Sequence, residues 1–376
     1  MDICNGHIAE FKQMPQIVVE VPEIITFFGT FSNLYSGKTI TAAGPRCLLT
    51  AVSVSSGNQI CINNLETKDR KKTSVSVFKY RKEDKWVNFI RGACLGLSEI
   101  IGRFNAFDIS FSGPVSLSSD VFLCPSLAAG FVIAVNSILK LRLSNDDILG
   151  IVINTCKFCA IDVPYDIIYS IIYGRAGSYN VYDWLSGKFM TLNNPFSNSQ
   201  YKMICINSNI PSDMMREEVL DTSRMVLKTV DVIKHVFNRT SVSALLYQDI
   251  IDAGNASISE EMRHCAKYLL DESQTAAQAV DAFISKDAVY IKRLLGKNGR
   301  LSREELDLTS PELDWIAKRV GDSSVVSGFG FSIISAVILN DYYNVVIEKL
   351  EDYEKIFGFK HHIYEFIPGP SARVIF

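Results

Sequence analysis

The stretch from Thr309 to Leu339 limits what this chain can fold into more than any other. Ser310 is a capping residue, Pro311 fits a first helical position, and Glu312 and Asp314 fall where the helix dipole favours acid. Leu313, Ile316, Ala317 and Val320 then recur at helical spacing, and Gly321 ends the run. Ser327-Gly328-Phe329-Gly330 follows, and the apolar run from Ile333 to Leu339 predicts a buried strand. A capped helix, a glycine turn and a core strand make one packed unit of mixed α and β structure. The glycines call for close backbone approach or positive φ.

Ahead of that unit, Ile17 to Val21 reads as an edge strand or an entry segment, strands are predicted at Ile24 to Phe31, Cys47 to Ser55 and Gln59 to Ile62, and then a charged loop at Thr67 to Lys72. Ser74 to Tyr80 alternates like a further strand. From Lys85 to Ile101 the period becomes helical, through Trp86, Phe89, Ile90, Ala93 and Leu97. Phe107 to Phe111 reads as a strand, and a core helix is expected from about Ser126 to Leu141. Ser144 caps a helix to about Phe158, and Pro164 to Tyr173 is helical. Tyr179 to Trp184 and Met203 to Ile206 read as strands. Glu217 to Phe237, Ser259 to Leu270 and Ser273 to Ile284 read as helices.

Composition narrows the class. At 376 residues the chain can bury a large core in about two domains. Its formal charge of −3 points to neither nucleic acid nor an anionic membrane. The nine cysteines are odd in number and scattered, which suits a reduced, intracellular protein. The start has no basic region followed by an apolar run, and the apolar runs at Leu127 to Val135 and Ser332 to Leu339 are too short to span a bilayer. A cytoplasmic protein is expected.

Several segments resemble motifs of the galactokinases, in the GHMP small-molecule kinase superfamily. Ser310-Pro311-Glu312-Leu313-Asp314 and Gly328-Phe329-Gly330 match their C-terminal S-C-P-E-L-D and glycine-rich turn. Trp86-Val87-Asn88-Phe89-Ile90-Arg91-Gly92 resembles W-x-N-Y-x-x-G, and Asn207-Ser208-Asn209-Ile210 resembles N-S-N-V. Lys267 to Glu272 resembles the R-H-V-V-x-E helix. The resemblance implies an α+β, two-lobed GHMP kinase fold with a cleft between the lobes. Residues 1–202 would form the N-terminal lobe, on the nucleotide and phosphate side, and residues 203–376 the C-terminal lobe. It also implies transfer of a phosphoryl group from ATP, with Mg2+, to the anomeric hydroxyl of galactose or a related sugar by a monomer.

The matching of site residues is uneven. The catalytic aspartate of G-I-M-D-Q corresponds to Asp166, which would orient the sugar hydroxyl; an acid in the first turn of a helix is the plain alternative. The phosphate loop G-L-S-S-S-A-A corresponds to Phe122-Leu123-Cys124-Pro125-Ser126-Leu127-Ala128. Cys124 and Ser126 would meet the nucleotide phosphates there, and Ser126 the metal; a buried helix start explains the same residues. The serines of Ser116 to Asp120 are an offset alternative for that loop. Lys38 would face the sugar or a phosphate, or else water. Gly328 and Gly330 would line the cleft.

Elsewhere the family's chemistry is replaced. Thr30 stands where the first motif has arginine, and the acids that grip the sugar are absent from Phe28 to Ile40. Phe122 replaces a glycine, and Pro125 removes an amide donor. These losses fall on chemistry and spare fold positions. Weak or lost activity is therefore expected, with a non-catalytic pseudokinase, acting as a sugar or nucleotide sensor or a protein-binding scaffold, as the alternative. Cys156-Lys157-Phe158-Cys159 is a single CxxC, read as buried thiols, and His361-His362 lacks partners at ligand spacing.

Overall fold

A computed structural model describes residues 3–102, 105–211, 214, 216–236, 238–252, 258–321, 323–327 and 332–376. In chain order the first elements are α1 (Ile3–Phe11), β1 (Ile17–Phe28), α2 (Ser32–Tyr35), β2 (Lys38–Val54), β3 (Gln59–Asn64), β4 (Asp69–Ser74), α3 (Val87–Ile101) and β5 (Phe107–Ser112). Next come α4 (Asp120–Leu139), α5 (Asn145–Phe158), α6 (Tyr165–Tyr173), β6 (Ser178–Asp183), β7 (Lys188–Asn193), β8 (Tyr201–Asn207), α7 (Arg216–His235) and α8 (Tyr247–Asp252). The chain ends with α9 (Glu260–Ser285), α10 (Ala288–Leu306), α11 (Pro311–Val320), β9 (Ser324–Ser327), β10 (Ile333–Leu339), α12 (Tyr343–Lys349), α13 (Tyr353–Phe357), β11 (His362–Glu365) and β12 (Arg373–Val374).

The chain forms two compact units, and each is discontinuous in sequence. The first holds Met1–Ile24, Ala43–Ala176 and Gly369–Phe376, and the second Ile25–Ala42 and Gly177–Pro368. This differs from a single division after residue 202. The chain passes from one unit to the other within β1 and β2, whose apolar runs give no composition change to read.

In the first unit the strand order is β12-β1-β2-β5-β3-β4, with β3 and β5 parallel and β2 antiparallel to β5. Alternation sends the two faces of β2 to different partners. Leu48 and Val52 join the large core with Ile109, Phe111, Leu127 and Phe131, under α3, α4, α5 and α6. On the other face Ala51 joins Ile3 and Val18 under α1. Gly130 lets α4 lie close to the sheet, since a Cβ there would stand 2.6 Å from Thr50 Oγ1.

Two readings of this unit change. The strand is at Asp69–Ser74, largely over the expected loop, and 75–80 forms none. β4 is the outermost strand, where Arg70, Lys71 and Lys72 are tolerated and block further pairing. Val75 and Phe78 pack against the core without a ladder, while Val77 is exposed. The core helix begins at Asp120, not near Ser126, with Pro125 inside it. By length and composition α4 could cross a membrane, at a mean hydropathy of 2.0, and 72% of that window is buried in this unit.

The second unit holds a sheet of order β11-β8-β10-β9, antiparallel throughout, and the β6–β7 hairpin paired to the first residues of β2. Ile204, Ile206, Ile334 and Ala336 face a core with Tyr268, Leu313 and Tyr353. Met203, Cys205, Ile333 and Val337 face a second core with Phe283, Ile291 and Leu295. The opening motif folds as expected: Ser310 Oγ accepts from the Leu313 amide, and Gly321 has φ +100°. The glycine turn at Gly328 and Gly330 lies outside the described residues, as does Phe331. The two helices expected between Ser259 and Ile284 are one, α9. Asp271-Glu272-Ser273 carries capping residue types, but Glu272 is fully buried and engaged elsewhere. The helix α10 has no counterpart in the sequence reading.

Candidate functional site

In the first unit, Asp166 is the second residue of α6, behind Pro164, and its side chain is only 4% exposed. A helix's first turn favours an acid, yet here desolvation dominates. Burial pushes the carboxyl up to about 7, against the backbone amides of Ile167 and Asp166, which pull it down. Its Oδ1 has no hydrogen-bond partner among the described residues, and no lysine or arginine among them pairs with it. At neutral pH such a group is close to half protonated and can donate or accept a proton.

Ser126 and Cys124 lie on α4 in the same unit. Both are closed off, at 2% and 0% exposure, and Phe122 is 6% exposed. Because the helix opens at Asp120, Ser126 stands more than a turn inside it, and its amide is not among the free donors of a helix start. The free amides belong instead to the turn after Ser119, the N-cap, whose side chain makes no capping bond. That is the offset position the serines of 116–120 suggested. A magnesium ion keeps several waters in an octahedral shell. A hydroxyl shut inside a helix does not offer that geometry, so Ser126 as placed does not fit a metal ligand.

Cys124 has different company. Its Sγ is 3.8 Å from Cys156 Sγ, and Cys159 also touches it, so burial and neighbouring thiols push its pKa well above the usual range. The two cysteines of the CxxC are thus buried, as read, but join a third thiol 32 residues earlier. Helical spacing from Cys124 along α4 was the only signal for this, and it reads as ordinary core.

In the second unit, Lys38 opens β2, half-buried and opposite Asp183 of β6. No ion pair of Lys38 occurs among the described residues. Its carbonyl does more than its ammonium: it accepts from Ser32 Oγ at 2.8 Å and sets the turn before it. Gly29 has φ +78°, and a Cβ there would stand 2.0 Å from that same carbonyl. Tyr35 Oη donates to Glu272 Oε2 at 2.8 Å, Tyr268 Oη to Glu272 Oε1 at 2.8 Å, and the amides of Thr30 and Phe31 also approach this carboxylate. The first motif is therefore held by Glu272, the last residue of the segment that resembles the R-H-V-V-x-E helix. Burial still pushes the Glu272 carboxyl up, the four donors notwithstanding.

The motifs that match best are structural in their contacts. Asn88 accepts from the Arg81 amide and donates to the carbonyls of Arg81 and Lys85. Arg91, 4% exposed, reaches Asp84 at 2.5 Å and Thr73 at 2.8 Å. Asn207 Oδ1 accepts from the amide of Asn209, which has φ +56°, and Ser208 Oγ donates to the Ser332 carbonyl.

Comparison with known proteins agrees with this frame. No protein-family model matches the chain. Galactokinases of Haemophilus influenzae strains PittEE and PittGG are 24% and 25% identical to it, each alignment covering 97% of both chains. Among solved structures, the Lactococcus lactis galactokinase complexed with galactose superposes with a TM-score of 0.83 at 14% identity, over 98% of each chain. The Methanococcus jannaschii mevalonate kinase superposes with a TM-score of 0.63 at 14% identity, over 94% of this chain and 98% of its own. The chain is thus similar to galactokinases over nearly its whole length, and it has the α+β fold of the Lactococcus lactis galactokinase structure.

Proposed function

We propose that the chain is a galactokinase-like protein of the sugar kinase class in which phosphoryl transfer is weak or lost. The reaction it would retain, or has lost, is ATP-dependent phosphorylation of galactose or a related sugar at the anomeric hydroxyl. One observation carries the reading. Asp166, which resembles the family's catalytic aspartate in sequence, is buried and has no cation paired with it among the described residues. Phosphoryl transfer needs positive charge beside the reacting groups to absorb the developing charge of the transferring group. The closure of Ser126 and the replacement of a phosphate-loop glycine by Phe122 support the same reading. Losing one stabilising group of this kind typically lowers a rate about 10²–10³-fold.

The alternative is a non-catalytic sensor of sugar or nucleotide, or a scaffold for a protein partner. Thermal unfolding with Mg-ATP, and separately with a panel of hexoses, distinguishes them, because a ligand of the folded state raises the midpoint. Shifts with both ATP and one hexose support a surviving phosphotransferase. A shift with a hexose alone supports the sensor. No shift with either would overturn the sugar and nucleotide reading and leave the scaffold.

A further inference from the structure

The second unit carries a cavity of about 700 Å³ beside α10. Lys292, Arg293, Lys297 and Arg300 line it, and no acid does among the described residues. Residues 292, 296 and 300 follow each other at one-turn spacing, as do 289, 293 and 297, so the cations share one side of the helix. Gly296 stands between Lys292 and Arg300 and leaves the space open.

This arrangement breaks two local rules at one place. Like charges one turn apart oppose a helix, and a mid-helix glycine costs about 1 kcal/mol relative to alanine. Such coincident violations belong to functional sites more than to framework. The cations are also partly positioned in advance. The Arg293 guanidinium lies 4.6 Å from the Tyr290 ring centre, and Lys292 Nζ lies 5.6 Å from that of Tyr201. Lys297 is held by Asp271 at 2.7 Å, and Tyr290 Oη donates to Gln278 at 3.1 Å. Arg300 has no ion pair among the described residues. Among the described residues, one carboxylate against four cations leaves the hollow net positive.

We propose that this hollow is a binding site for a small organic anion carrying at least two phosphate groups. Arg293 and Arg300 would take phosphate oxygens through paired N–H donors, and Lys292 and Lys297 would add point charge. The hollow is concave and of small-molecule size, which favours a metabolite over an extended polyanion. The proposal is independent of whether Asp166 still serves catalysis.

Isothermal titration calorimetry with inorganic pyrophosphate, and then a hexose bisphosphate, tests it on the intact protein. Binding should weaken at least tenfold in Arg293→Gln/Arg300→Gln. It should be unchanged in Lys71→Gln/Lys72→Gln, which removes equal charge from β4 in the other unit. Circular dichroism confirms that each variant is folded. Equal affinity in wild type and Arg293→Gln/Arg300→Gln would overturn the site, as would equal weakening by the β4 pair. Binding of an oligonucleotide without binding of pyrophosphate or the bisphosphate would overturn the ligand class.

Discussion

Tyr35 and Glu272, 237 residues apart, meet through a 2.8 Å hydrogen bond from the phenol to the buried carboxylate. Glu272 also receives Tyr268 and the amides of Thr30 and Phe31, so one acid gathers the first motif onto α9. Removing it strands several buried donors at once. Glu272→Ala should destabilise the protein by about 3–5 kcal/mol, and Tyr35→Phe by about 1.5–3 kcal/mol. Urea unfolding of both variants and of the double variant measures this. The double should lose less than the sum, because both changes break one bond.

Gly29 is the backbone counterpart of that relationship. With φ at +78° and the Lys38 carbonyl 2.0 Å from the place of a Cβ, no other residue fits without moving β2. Gly29→Ala should lower stability by more than about 1 kcal/mol, the range for alanine forced into positive φ, with the clash adding to it. A loss smaller than that in chemical unfolding would contradict the geometry.

Asp166 links stability to pH. Its carboxyl is pushed from 3.8 up to about 7, so the unfolded chain releases the proton first as pH rises. Stability is full below 3.8, falls across the interval, and is lower above 7 by at most about 4 kcal/mol. Asp166→Asn should therefore match wild type near pH 4 and be several kcal/mol more stable at pH 8, by unfolding at both pH values. A variant less stable at pH 8 would show that a cation or hydrogen-bond donor stabilises the charged form in the fold.

His7 should act in the opposite direction. It is fully buried between Ser110 at 3.0 Å and Ser53 at 2.9 Å, and burial lowers its pKa from 6.5 to about 4. The unfolded chain takes the proton first as pH falls. Stability from this group is complete above 6.5 and is lost by about pH 4, to the extent of roughly 3 kcal/mol. Asp108 lies in the same network through Gln13, and burial raises its carboxyl, so it favours the folded state on the acid side. His7→Gln should flatten the loss between pH 6.5 and 4 while leaving the Asp166 slope intact.

The sequence made the framework legible where chemistry is local. Ser144 forms the capping box with Asp147, Ser310 caps α11, and Trp86 to Gly92 is a helix whose glycine meets Thr155 of α5. What stayed hidden depends on partners far along the chain. Glu272 looked like a break in a helix because its tyrosines are named only by the fold. Ser126 looked like a helix start because Pro125 follows a cysteine, whereas the helix already runs from Asp120. The cavity on α10 was missed because a stripe of lysines and arginines reads as a solvated face until the concave wall beside it is known. The two passages between units within β1 and β2 left no boundary signal, while those at Ala176–Gly177 and Pro368–Gly369 fall in glycine- and proline-bearing loops.

Transfer of labelled phosphate from ATP to galactose in the presence of Mg2+ tests the central claim most directly. Kinases commonly turn over at about 1–100 s⁻¹. On the proposed reading, in which Thr30 stands for the family's arginine and Phe122 for its phosphate-loop glycine, turnover should lie below about 0.1 s⁻¹. Turnover in the ordinary range that is abolished by Asp166→Asn would contradict the account and establish a rebuilt, working site.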